Sequence, residues 1–330
     1  MHVSKFNVKV IICFLFSLIY GVSLTLLPNE LFRDRVSYIN YAENSLDIMG
    51  RYDGLSLFTN EPLFLIINNL LSQFISPDVT PLVFVFFVSF TACYFILLKS
   101  KNIFFGILGI LALLLIPQAF HMQFVVLRQA LAASILVWIA YFLWDKRYFI
   151  PLVFFIGFIH SSMFMVFLFL TVDRVFIKIV SEKIVFRSFA AIFISALASF
   201  LILPIAELLA MRQADGYESA SMGGSGGNFV LYSVILLITL TQYKQRFIHD
   251  GLYVIGVIGV SIYIGMYFFS PFAGRLITTF MPFIICLMCQ FGNARAFLLL
   301  GLIVFINSLI FKGSIENNSL TVDGIKFLFG

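Results

Sequence analysis

The chain predicts an all-α, polytopic integral membrane fold with about ten transmembrane helices, plus or minus two. Three observations carry that expectation. Of 330 residues, 61% are hydrophobic and only 11% are charged, with a mean hydropathy of +1.04, a composition foreign to soluble globular domains. Apolar runs recur at 8–27, 79–98, 103–119, 123–144, 148–172, 188–209, 229–242, 251–269, 276–291 and 295–311, many near the length a helix needs to cross hydrocarbon. The charges lie mostly in the short connectors between these runs, so the net charge of +5 reads as topology and not as a basic face for nucleic acid. A single polytopic domain over 1–330 is expected, with an outer loop at 28–61 and a second at 210–228.

Taken in order, Lys5 and Lys9 precede the first run, and nothing near 20–30 resembles a small-residue cleavage site. The first run is therefore expected to be a retained signal anchor with its N-terminus inside. Segment 28–61 then lies outside and holds nine charged residues. Downstream, Lys99/Lys101, Asp145-Lys146-Arg147, the stretch from Arg174 to Arg187 and Lys244/Arg246 all ask to be inside. Simple alternation of spans strands Lys99, Lys101, Lys146 and Arg147 outside, so two segments must be irregular. Pro62 to Ile75 is short for a crossing, and 148–172 is interrupted at Gly157 and His160-Ser161-Ser162, where the chain can enter and return as a hairpin. Re-entrant or broken segments are thus expected at 62–75 and 148–172.

That topology has a functional consequence. The run 103–119 points outward and ends at Pro117-Gln118, which places His121 and Arg128 on the outer part of the next helix, sharing a face at a spacing of seven residues. The tip of the broken segment brings His160 to the same level, and Ser270 to Arg275 forms another outer turn. Arg33, Asp34, Arg35, Glu61, His121, Arg128, His160 and Arg275 are expected around one outward-facing cavity. An ionisable residue stranded in such apolar sequence, as Arg128 and His160 are, is a functional candidate by default.

The remaining polar constellations are read with both a functional and a structural meaning. A helix through 32–41 puts Asp34, Tyr38 and Tyr41 on one face, suited to a sugar, or else to interfacial tyrosines on a solvated loop. In Thr59-Asn60-Glu61-Pro62, Glu61 is a candidate base or a charge favouring a helix N-terminus. Arg128 offers a planar fork for phosphate oxygens or snorkels to the interface; the small residues Ala130, Ala132, Ala133 and Ser134 after it allow close helix packing. His160 is a candidate base or a hydrogen-bonded structural histidine. The glycines at 223–227 match no nucleotide-binding pattern, and no soluble region could hold one, so no nucleotide-sugar donor is expected. Cys13, Cys93, Cys286 and Cys289 all fall in apolar runs, and neither a disulfide nor a metal is expected.

With these residues in place, the chain resembles the EpsG family of Wzy-type bacterial polysaccharide polymerases. The resemblance rests on Arg33-Asp34-Arg35…Tyr38…Tyr41, Asn60-Glu61-Pro62-Leu63-Phe64, Arg128-Gln129-Ala130-Leu131-Ala132 and Phe158-Ile159-His160-Ser161-Ser162, mainly within 28–172. It implies a metal-independent, cofactor-free glycosyltransferase of the bacterial inner membrane. Such an enzyme joins repeat units carried on undecaprenyl pyrophosphate, as both donor and acceptor, into an O-antigen, capsule or exopolysaccharide, alongside membrane lipid and a chain-length regulator. In that setting Arg128 is expected to stabilise the pyrophosphate leaving group, with His160, Asp34 or Glu61 accepting the proton of the attacking hydroxyl. Arg33, Arg35, Tyr38, Tyr41, His121, Gln129 and Arg275 are the expected substrate contacts. Two other classes stay open: a secondary transporter, which needs a repeat of broken helices not evident here, and a membrane acyltransferase acting on surface sugars.

Overall fold

The computed structural model describes residues 3–32, 34–208, 226–242 and 245–316. Helices and their connectors make up these residues, with no strand among them. Among the described residues, five helices are long and apolar enough to cross a bilayer, Val8–Thr25, Thr80–Lys99, Ile184–Leu201, Ala273–Gln290 and Ala294–Gly313, and a sixth span counts the bent pair Ile103–Leu115 and Pro117–Phe124. The other apolar runs include shorter helices, Pro62–Ser72, Leu127–Leu143, Gly227–Thr241 and Gly251–Met266. The all-α polytopic membrane fold is therefore observed, with part of its apolar sequence in pieces shorter than a full crossing. The residues gather into two compact units, Met1–Leu46 with Leu65–Ser134 and Met288–Gly330, and Asp47–Phe64 with Ile135–Leu287.

In the first unit, the N-terminal helix Val3–Thr25 lies along Thr80–Lys99. Lys9 Nζ donates to the carbonyls of Leu98 and Ser100 at 2.7 and 3.1 Å, closing the C-terminal end of that neighbour. The two helices are therefore antiparallel, and Lys9 shares a side with Lys99 and Lys101. One full crossing between them would put them on opposite sides. Their pairing instead follows from the short helix Pro62–Ser72 not counting as a span, as the charge distribution required.

Pro117 sets the 72° bend of the pair that follows. Having no N–H, it leaves the Leu113 carbonyl without its helical partner. Gln123 Nε2 supplies one, donating to Leu113 O at 2.8 Å and to Ala119 O at 3.2 Å, while Gln123 Oε1 accepts from the Tyr20 hydroxyl at 2.8 Å. The bend is thus a satisfied, buried feature. A second interruption was not expected. The chain leaves the helix at Phe124, with Val125 N–H and Val126 N–H both donating to His121 O and Leu127 N–H to Val125 O, and restarts at Leu127. His121 and Arg128 consequently sit on separate helices, and the shared face inferred from their spacing does not exist.

The second unit contains the broken segment. Helix Phe149–Ile156 stops, residues 157–161 turn, and Ser162–Ile179 begins. The rings of Phe154 and Phe167 lie 5.2 Å apart. In one continuous helix thirteen residues would separate them by roughly 20 Å along the axis, so the chain reverses here as a hairpin. Gly157 permits the fold-back, since a Cβ there would come 2.4 Å from the Phe164 ring. In this unit the predominantly apolar helix Gly251–Met266 is nearly all buried. Glycines let its neighbours close in, Gly251 against the Ala140 carbonyl and Gly265 against that of Ile192.

Candidate active site

Glu61 is the one non-glycine residue with positive φ among those described, at 65°. Such a conformation is uncommon for a long side chain and persists only where surrounding contacts hold it. The contacts are visible: Leu63 N–H donates to Phe158 O at 3.0 Å, Phe64 N–H to Glu61 O at 3.1 Å, and the Phe58 and Phe158 rings meet edge to face. They tie the segment before helix Pro62–Ser72 to the tip of the 157–161 turn.

The result is a pair of ionisable side chains, both buried, from opposite ends of that junction. His160 Nδ1 and Glu61 Oε1 are 2.6 Å apart, and the residues are 7% and 4% exposed. An ionised carboxylate only accepts, so Nδ1 carries the hydrogen and Nε2 is left as the basic nitrogen. Glu61 Oε1 also accepts from Ser161 N–H at 3.4 Å, so the charge meets the N-terminal end of helix Ser162–Ile179. No other hydrogen bond to the His160 ring occurs among the described residues, and its side chain keeps 8% exposure. A carboxylate-oriented imidazole with its second nitrogen uncommitted is the arrangement that general bases use.

The first unit holds a second cluster. In helix Arg35–Glu43, which Asp34 precedes, Tyr38 and Tyr41 are buried on one face with ring centroids 6.3 Å apart. Arg128 lies over the Tyr41 ring, its Cζ 5.1 Å from the centroid, and its backbone N–H donates to the Tyr38 hydroxyl at 3.4 Å. Burial pushes the Tyr38 phenol above its ordinary pKa, so it holds its proton. Arg128 stands in the first turn of its helix Leu127–Leu143, where the macrodipole disfavours a cation and favours an anion. Its position is thus not one that helix stability favours.

Arg35 anchors the same loop. It is 1% exposed, its Nε donates to the Phe124 carbonyl at 2.8 Å and its Nη1 to Asn29 Oδ1 at 3.0 Å. The carbonyl is the last of helix Pro117–Phe124, a natural place for a cation. Burial pushes its pKa down to about 10, still charged at neutral pH. Phe32 stacks on Phe124 at 4.8 Å beside it.

The model for the EpsG family matches residues 8–322, nearly the whole chain. The protein belongs to the EpsG family. That makes it a membrane protein of polysaccharide biosynthesis, in a family that includes Wzy-type polymerases. No curated protein and no solved structure shows significant similarity to it.

Within this EpsG-family chain, the candidates fall into place as follows. Glu61 pairs with His160 in one unit; Arg128 meets Tyr38 and Tyr41 in the other. Asp34 is half-buried at the helix start, with no capping hydrogen bond from its side chain. His121 is half-buried at the end of its short helix, Gln129 is buried beside Arg128, and Arg275 is exposed in the first turn of Ala273–Gln290. Arg33 lies outside the described residues, as does most of the 210–228 loop.

Sequence reading overlooked one ionic pair. Arg187, read as part of a connector, is buried inside helix Ile184–Leu208 and makes a bidentate bond to Asp173 at 2.8 and 2.6 Å. The available signal was two opposite charges, each embedded in an apolar run.

Proposed function

We propose that this protein is the repeat-unit polymerase of a surface polysaccharide: a glycosyltransferase, needing no metal ion, that joins glycans carried on undecaprenyl pyrophosphate at the outer face of the bacterial inner membrane. The observation that carries the reading is the buried Glu61–His160 hydrogen bond, because it presents a basic imidazole nitrogen in a chain whose family works in polysaccharide biosynthesis.

In this reading a hydroxyl of the acceptor glycan attacks the anomeric carbon of the donor. The new glycosidic bond forms as the bond from that carbon to the pyrophosphate oxygen breaks. The electron pair leaves with the pyrophosphate, and the hydroxyl proton passes to His160 Nε2. Glu61 fixes the tautomer and stabilises the imidazolium, as carboxylates do for catalytic histidines. Arg128 stabilises charge growing on the leaving pyrophosphate, which is worth more in the transition state than in the ground state. Tyr38 and Tyr41 act through Arg128 by holding it, and Arg35 by holding their loop. Asp34 is the alternative base, and Arg33, His121, Gln129 and Arg275 are assigned to glycan and phosphate contacts.

The test is polymer length in cells lacking the native gene and expressing His160→Ala, Glu61→Gln or Arg128→Ala at matched membrane levels. The expected result for His160→Ala and Arg128→Ala is lipid-linked single repeat units without long chains. Wild-type chain lengths from both would remove these residues from the reaction, and a full-length polymer lacking only an acyl group would point to an acyltransferase.

A further inference from the structure

The Asp173–Arg187 pair takes no part in the proposed reaction, yet Asp173 sits on the helix that follows the His160 turn. Both residues are buried in mostly apolar helices. A buried ion pair is weak evidence for stability, because desolvation offsets the attraction; its best-attested use is to fix register. Arg187 Nη1 has no hydrogen-bond partner among the described residues, a further cost to stability.

Register matters for this segment in particular. A helix that crosses the bilayer is held in depth by polar groups at both faces. The hairpin 149–179 reverses at 157–161, so its two arms start and finish at one end. From Phe149 to Val172 its only ionisable side chain is His160, and no other charge there fixes its depth. The rings of Phe154 and Phe158 meet those of Phe164 and Phe167 across the two arms, so a shift at the open end moves the tip.

At the open end, about 16 Å along the helix from Ser162, two consecutive residues hold two different neighbours. Asp173 accepts the bidentate bond from Arg187 at 2.8 and 2.6 Å, tying the hairpin to helix Ile184–Leu208, which contains a stretch long enough to cross a bilayer. Arg174 Nη2 donates to the Trp144 carbonyl, and its Cζ lies 4.0 Å from the centroid of the Trp144 ring. The same Cζ is 5.5 Å from the ring of Phe149, where the other arm begins. We propose that Asp173, Arg174 and Arg187 are positioning residues, pinning the open end of the hairpin and so setting the depth at which its tip presents His160 to Glu61. The proposal rests on His160 being the base. Placement of a base is demanding, since about 1 Å of error can lower a rate about a hundredfold.

The test uses the purified full chain in liposomes. Asp173→Leu/Arg187→Met removes both charges and keeps the site filled, an exchange that buried pairs tolerate, and Asp173→Arg/Arg187→Asp restores the pair in reverse. One measurement is kcat and KM for consumption of lipid-linked single repeat units. The other needs no activity: Leu63→Cys and Phe158→Cys are added to each background, at the two residues whose backbones are joined by a 3.0 Å hydrogen bond. That closeness suits a disulfide, and its rate of formation under mild oxidation reports how the tip meets the Glu61 segment. The charge-free variant is expected to melt near the wild type, with kcat lowered about tenfold or more and KM little changed. Its disulfide should form several-fold more slowly, and the reversed pair should recover part of both losses. Wild-type trapping in the charge-free variant overturns the proposal, whatever kcat does. Slower trapping with kcat unchanged upholds the pin and removes His160 from the reaction instead. Should the charge-free variant fail to fold, Arg174→Met, at a half-buried position, decides by the same two measurements.

Discussion

Replacing Glu61 by Gln keeps the shape of the side chain and an acceptor oxygen while removing the charge that faces His160 Nδ1 at 2.6 Å. A hydrogen bond to a charged group contributes about 1.5–3 kcal/mol, against about 0.5–1.5 kcal/mol for a neutral one. The difference, about 1–2 kcal/mol, is expected to appear in the transition state, where the imidazole becomes a cation beside the carboxylate. At about 1.4 kcal/mol per decade of rate, Glu61→Gln should slow polymerisation roughly 5–30-fold. Both residues pay the same left-handed backbone strain at φ 65°, so thermal stability should change little. The assay is the initial rate at which lipid-linked single repeat units are consumed by purified protein in liposomes, compared across Glu61→Gln, His160→Ala and the double variant. If Glu61 works through His160, the double variant matches His160→Ala. A double variant slower than His160→Ala by the full Glu61→Gln factor, or a Glu61→Gln enzyme at wild-type speed, would refute the reasoning.

Three further outcomes follow from contacts already described. Tyr41→Leu removes the ring beneath Arg128, a cation–π contact of about 0.5–2 kcal/mol, and should weaken donor use roughly 2–30-fold in kcat/KM with the protein still folded. Gly157→Ala drives a Cβ to 2.4 Å from the Phe164 ring and should cost about 1–3 kcal/mol, read as a lower Tm and lost activity, since His160 sits on the same turn. Gln123→Leu leaves the Leu113 carbonyl and the Tyr20 hydroxyl without the amide that joins them. It should cost about 1–3 kcal/mol, whereas adding Tyr20→Phe should recover part of the loss in the same melting experiment.

How far the site was legible depends on the kind of information each residue carries. The break at Gly157 and His160-Ser161-Ser162 was readable because a glycine and a polar triplet interrupt an apolar run, and the rings of Phe154 and Phe167 bear the reversal out. The short Pro62–Ser72 helix was readable from its length and from the charges it had to reconcile, and Lys9 beside Ser100 agrees. Glu61 and His160 were each singled out, but as rival bases. Nothing local says that residues 99 positions apart form one hydrogen-bonded pair. The interruption at Val125–Val126 carries no glycine or proline, so a continuous helix was the natural inference. Arg35 was expected to face substrate, yet its fork reaches a helix-end carbonyl and Asn29.

The amino-acid sequence alone therefore determined the solvent and the all-helical class of the fold. Hydropathy is summed residue by residue, and a chain this apolar must satisfy its backbone within helices once it enters hydrocarbon. Tertiary structure decided which polar side chains meet: Glu61 with His160, Arg128 with the tyrosine pair, Asp173 with Arg187. Those partnerships arise where distant segments dock, because a buried charge or donor takes its partner from whatever the packing brings within about 3 Å.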